Sequence, residues 1–213
     1  MLVIAFDGVL FDTLGARARA VCDALGHDVD ELSMTTLCAT VAGQSISEAV
    51  RALAAQNGTS VRNTGTIDET ALDIACLRAE LGFANVAVNG FALNMQARTL
   101  LQRAAATTRI VIRADSKRRQ VDNLLELAEL TTVAAFVRCS DDYSPVRHLD
   151  ATATTIGQSY YRIAGRLAHQ FGLLGESAGI GIALEASAAA RGVARHWGFD
   201  TPSDVSSVRF PGL

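Results

Sequence analysis

The chain has 213 residues, 49% of them hydrophobic and 19% charged, with a formal net charge of −3. That is enough apolar material for one large domain, or for a core with an insertion. The weak negative charge and a pI near 5.8 exclude a nucleic-acid or anionic-membrane surface.

Aromatic residues make up 6% of the chain, too few for a base-stacking platform. No apolar run reaches the roughly 18 residues of a membrane span. The N-terminus lacks the basic and apolar regions of a signal peptide. Cys22, Cys38, Cys76 and Cys139 are widely spaced, with no Cys-x-x-Cys and no His pairing. The expectation is a cytoplasmic protein with reduced, buried thiols.

In chain order, Leu2–Phe6 reads as a buried strand, short, wholly apolar and ended by Asp7-Gly8. Gly15–Leu25 reads as a helix stopped by Gly26. Ser33–Ala42 and Ser47–Gln56 read as helices around a turn at Gly43-Gln44-Ser45-Ile46-Ser47. Asn57–Thr66 is rich in Gly, Thr, Ser and Asn and reads as a loop. Ile67–Leu81 and Leu93–Ala106 read as helices, joined by a linker at Val88–Ala92.

The pattern then changes. Strands are expected at Arg109–Arg113, Phe136–Cys139 and Ile180–Leu184. Helices are expected at Arg118–Ala128, Ser159–Phe171 and Ser187–Trp197, with a last strand at Ser207–Phe210. Strands alternating with helices predict an α/β fold, a Rossmann-like parallel sheet with helices on both faces. The helical block at 16–88 reads as an inserted all-helical cap, and 1–15 with 89–213 as the core.

The run Ala5-Phe6-Asp7-Gly8-Val9-Leu10-Phe11-Asp12-Thr13 resembles the first motif of the haloacid dehalogenase-like (HAD) superfamily, Asp-x-Asp-Gly-x-x-x-Asp-Ser/Thr. The layout is similar to the helical-cap subgroup that includes β-phosphoglucomutase-like phosphatases. Val41-Ala42-Gly43-Gln44-Ser45 looks like that subgroup's substrate-touching cap loop. Gly181-Ile182-Ala183-Leu184-Glu185 looks like the run before its fourth motif.

The resemblance implies an aspartyl nucleophile at position 5, where this chain has Ala5. It implies that Asp7 moves a proton to and from substrate. At the second motif it implies a hydroxyl where Ile112 stands, unless a slip brings in Ser116. The third motif's lysine is absent from Ser144–Tyr161, leaving Arg147 or His148 as substitutes in charge. The fourth motif reads Glu185-Ala186-Ser187, so the side-chain anchors for Mg²⁺ at positions 5 and 186 are both methyl groups. A lost Mg²⁺ site, with no metal or other cofactor, is the expectation.

Parallel sheets bind ligands beyond the carboxyl ends of their strands. The candidate site therefore has Asp7 as its catalytic residue. Gly8, Gly43, Gln44, Arg113, Arg147, His148 and Glu185 are the candidate contacts for a small-molecule ligand between core and cap. A homodimer is a candidate assembly. Three readings of function stay open. One is a repurposed, metal-independent enzyme doing acid/base chemistry (isomerisation, cyclisation or dehydration). The others are a catalytically dead pseudophosphatase that binds or regulates, and a phosphatase with residual activity.

Overall fold

The computed structural model describes residues 1–27, 31–57, 62–63, 66–143, 161, 181–196 and 198–208. Five strands form one parallel sheet: β1 (Leu2–Ala5), β4 (Ile110–Arg113), β5 (Phe136–Arg138), β6 (Gly181–Leu184) and β7 (Phe199–Asp200), in the order β5-β4-β1-β6-β7. β1 is central, with Leu2 opposite Ile110 on one side and Ile182 on the other. Every residue of β1 and β4 is buried, because helices cover both faces, and this is why both strands are apolar up to Arg113 at the end of β4.

Side chains alternate across the sheet. Leu2, Ile4, Ile110 and Ile112 pack on one face with α5 (Met95–Ala104) and α6 (Arg118–Leu127), through Leu101, Val121 and Leu124. Val3, Val111 and Ala183 pack on the other with Tyr161, Phe199 and, from α7 (Ala188–His196), Ala190 and Ala194. The α/β class and parallel sheet read from the sequence are the observed ones.

Between β1 and β4 stand α1 (Leu14–Leu25), α2 (Glu31–Val41), α3 (Ile46–Asn57) and α4 (Glu69–Ala87), which share a separate apolar cluster from Ala18 to Phe83. α1 ends where expected, at Gly26 with φ +70°, and the amides of Gly26 and His27 close the helix on Asp23 O and Cys22 O. α4 starts on the Asp68 carboxylate, which accepts from Thr70 N and Ala71 N. The block is not wholly helical. β2 (Arg62–Asn63) and β3 (Thr66–Ile67) form a short antiparallel ribbon in the stretch read as loop, with Ile67 taken from the start of the expected helix Ile67–Leu81.

Two other expectations change. α4 runs six residues past Leu81, because Ala84, Val86 and Ala87 do not break a helix and Gly82 fits beside Ala20. Among the described residues the last strand is Phe199–Asp200; of the strand expected at Ser207–Phe210, residues 209–210 lie outside the described residues. Val205–Ser207 instead forms a short 3-10 turn, whose Asp204 carboxylate accepts from Ser207 N and Ser206 Oγ. The expected helix Ser159–Phe171 lies outside the described residues except at Tyr161. Cys22, Cys76 and Cys139 are buried, and all four thiols are free.

Candidate functional site

The strand order brings together the carboxyl ends of β4, β1 and β6. Asp115, Asp7 and Glu185 follow those ends within two residues, so three acidic side chains converge on one point. Two arginines join them: Arg113, the last residue of β4, and Arg17, from the first turns of α1. All five side chains are buried, none more than 4% exposed.

Asp7 is reached through a tight turn in which Gly8 takes φ +79° and donates to Phe11 O. Its carboxylate accepts five hydrogen bonds. Oδ1 receives Thr13 Oγ1 at 2.8 Å, Ser116 Oγ at 2.7 Å and Arg17 Nη1 at 3.3 Å. Oδ2 receives the amides of Asp115 at 2.7 Å and Ser116 at 3.1 Å.

Thr13 stands at the N-cap of α1, but its hydroxyl serves Asp7 and not the helix. Burial pulls the Asp7 carboxyl upward, yet the Arg17 charge and the hydroxyl and amide donors outweigh it. Asp7 is therefore held below the ordinary aspartate range and stays ionised at neutral pH.

Arg17 connects the cap helices to the core. Besides Asp7 it donates from Nη1 to Ser116 Oγ at 2.9 Å and from Nη2 to the backbone carbonyl of Gln44 in the cap loop. Its guanidinium carbon lies 5.7 Å from the centre of the Phe83 ring. Arg17 Nε and Gln44 Oε1 are buried without a partner among the described residues.

The second arginine makes a separate cluster. Arg113 holds Glu185 through two bonds, Nε to Oε1 at 2.7 Å and Nη2 to Oε2 at 2.5 Å, and Nη1 pairs with Asp115 Oδ1. Tyr161 donates its hydroxyl to Glu185 Oε1 at 2.6 Å. Burial works against the Arg113 charge, but Asp115 and Glu185 outweigh it and raise its pKa further. Asp115 Oδ2 accepts from Gly43 N at 2.9 Å, which ties the cap loop to the end of β4. Burial pushes the Asp115 carboxyl up to about 6, with repulsion from Asp7 adding to the shift and Arg113 and Arg17 opposing it.

The sequence-predicted residues thus fall into groups. Asp7, Gly43, Gln44, Arg113 and Glu185 come together. Arg113, a candidate contact for a ligand, is paired with Glu185. Gly8 lies beside them with its backbone exposed, close to Leu14 and Ala186. Ala5 is buried within β1. Ile112 belongs to the core cluster, and Ser116 supplies the strand-end hydroxyl. Arg147 and His148 lie outside the described residues.

Sequence reasoning missed Arg17, Asp115 and Thr13. A signal existed for each. Arg17 follows Thr13 by one helical turn on the face that Val21 buries, and Asp115 stands as far past β4 as Asp7 past β1.

The donor set does not fit Mg²⁺. That ion takes six oxygens in near-octahedral geometry. Here the Asp7 and Glu185 oxygens already face N–H groups, hydroxyls and guanidinium groups, and positions 5 and 186 offer methyl groups. Among the described residues no cluster of three His, Cys, Asp or Glu side chains could hold a metal ion.

No protein-family model matches the chain, and no curated protein matches it. Solved structures do match. A predicted phosphoglycolate phosphatase from Haemophilus somnus 129pt aligns with TM-score 0.67 at 12% identity, over 94% of this chain and 83% of the other. CbbY from Rhodobacter sphaeroides in complex with phosphate aligns with TM-score 0.62 at 18% identity, over 99% and 90%. A HAD family hydrolase from Deinococcus radiodurans R1, with bound phosphate and sodium, aligns with TM-score 0.53 at 22% identity, over 94% and 78%. With a central β1 and a helical block between the first two strands of its parallel sheet, the chain has the fold of the haloacid dehalogenase-like hydrolases.

Proposed function

We propose that this chain is a catalytically silent protein on a phosphatase fold, a pseudophosphatase that acts by binding and not by turnover. One observation carries the reading: the Arg17 guanidinium, brought in by α1, sits on Asp7 and Ser116 in the cleft. Asp7 has five donors and a lowered pKa, so it has no proton to give at neutral pH and little basicity to take one. Covalent catalysis needs an activated nucleophile, and Ala5 offers none. An in-line attack by water would need charge neutralisation at the phosphoryl group, and the two arginines buried among the described residues are already paired with carboxylates.

The test is phosphate release by the pure protein from an aryl phosphate and a sugar phosphate, with and without Mg²⁺. Silence predicts release at the buffer rate in all four mixtures. Mg²⁺-dependent release that is lost in Asp7→Asn would sink the reading.

A second reading, metal-independent acid/base chemistry on a small molecule between core and cap, is favoured by Asp115. Its pKa of about 6 is suited to proton transfer near neutrality, which that of Asp7 is not. Turnover of any small molecule that survives in Asp7→Asn and disappears in Asp115→Asn would select it.

A further inference from the structure

Asp115 holds the cap to the core, and the charges around it do not balance. Among the described residues the joint contains three carboxylates, Asp7, Asp115 and Glu185, against two guanidinium groups, Arg17 and Arg113. Asp7 is saturated by five donors. Glu185 has both nitrogens of the Arg113 fork and the Tyr161 hydroxyl. The remaining negative charge rests on Asp115, which has one Arg113 nitrogen, the Gly43 amide and Asp7 as a like-charged neighbour. Lys117, two residues on, is turned away to Glu80 of α4 at 3.3 Å.

Gly43 gives the contact its consequence. It has φ +81°, and a Cβ built on it would lie 3.1 Å from Ser187 Cβ, so the cap loop is pressed directly onto the core behind β6. Anything that loosens Asp115 loosens this approach.

We propose that Asp115 is a proton-operated latch between cap and core, closed when its carboxyl is neutral and loosened when it ionises. Protonation brings the joint to two negative and two positive charges, and the neutral acid keeps an acceptor oxygen for Gly43 N–H. Ionisation leaves one excess negative charge sealed from water, and opening the cap relieves it by hydration. The direction follows from linkage. The closed state binds the Asp115 proton more tightly than an open, hydrated state with an ordinary aspartate pKa. Closure is therefore favoured at low pH and lost as pH rises through about 6. Asp7 has the opposite shift, and its window lies below the ordinary aspartate value, outside this range. The inference goes beyond the silent reading and does not depend on it.

Hydrogen–deuterium exchange of residues 41–46, corrected for the intrinsic pH dependence, tests the latch, with residues 2–6 of β1 as the internal reference. Wild type should be about tenfold more protected at pH 5 than at pH 7.5, with no matching change in β1. Asp115→Asn, an uncharged isostere that cannot titrate, should lose the pH dependence, whatever its level of protection. Asp115→Ser, which removes the titrating group at smaller volume, should also lose the pH dependence. A flat wild-type profile, a parallel change in β1, or an undiminished tenfold dependence in either variant would overturn the latch.

Discussion

At the scale of single residues, the centre of the candidate site is a buried arginine. Arg17 is fully buried between Asp7, Ser116 and the Gln44 carbonyl. Truncating one member of a buried ion pair leaves the other charge uncompensated, typically at about 3–5 kcal/mol. Arg17→Met should therefore lower stability by that order, read as a shift of the urea midpoint. If it costs under about 1 kcal/mol, Arg17 is not the partner that keeps Asp7 ionised. Asp7→Asn keeps the shape but turns one oxygen into a donor facing donors. A loss of about 1–3 kcal/mol is expected, on the scale of an unsatisfied buried polar group. Arg17 was hard to read in the sequence because a single arginine in Gly15-Ala16-Arg17-Ala18-Arg19-Ala20 looks like a solvated helix residue, as its neighbour Arg19 is. The Arg17 partners Asp7, Gln44 and Ser116, at 10, 27 and 99 positions away, distinguish the two.

At the scale of elements, three glycines separate conformational need from close approach. Gly26 and Gly43 both have positive φ, but a Cβ on Gly26 meets nothing within 4 Å, while one on Gly43 meets Ser187 at 3.1 Å. Gly26→Ala should cost about 1 kcal/mol, the strain of a left-handed residue alone. Gly43→Ala should cost more and should also raise exchange at residues 41–46, because it wedges the cap loop from the core. Equal costs at the two positions would mean that the cap–core approach carries no strain. Gly181 opens β6, and a Cβ there would lie 2.1 Å from Met1 O, across the β1–β6 pairing. The hydrophobic pattern revealed β1, β4 and β6 because each carries a run of apolar residues, broken in β4 only by Arg113 at its end. It did not reveal β2, β3 and β7, which are two residues long and have no period to read.

At the scale of the molecule, adding carboxylates at positions 5 and 186 together should not make the chain a phosphatase. Ala5→Asp with Ala186→Asp adds carboxylates to a joint that, among the described residues, already has one negative charge in excess, while Arg17 stays on Asp7. The double variant should release phosphate at the buffer rate with Mg²⁺ present and should unfold more easily than wild type. Robust Mg²⁺-dependent release would show that the two side chains alone separate this chain from an active enzyme. The sequence by itself determined the α/β class, the buried first strand, the helices after it and the stop at Gly26, because these rest on local periodicity and backbone preference. It also marked positions 5, 112 and 186 as lacking the groups that the resemblance implies. Only the tertiary structure decided which charges meet. The order β4-β1-β6 sets Asp115, Asp7 and Glu185 side by side, and α1 packing against the sheet end brings Arg17 among them. The Arg113–Glu185 pair spans 72 positions and the Asp7–Ser116 pair 109. A pairing at such separation depends on how strands are ordered across the sheet, and that order is fixed by the burial of both faces at once, which no local stretch of sequence encodes.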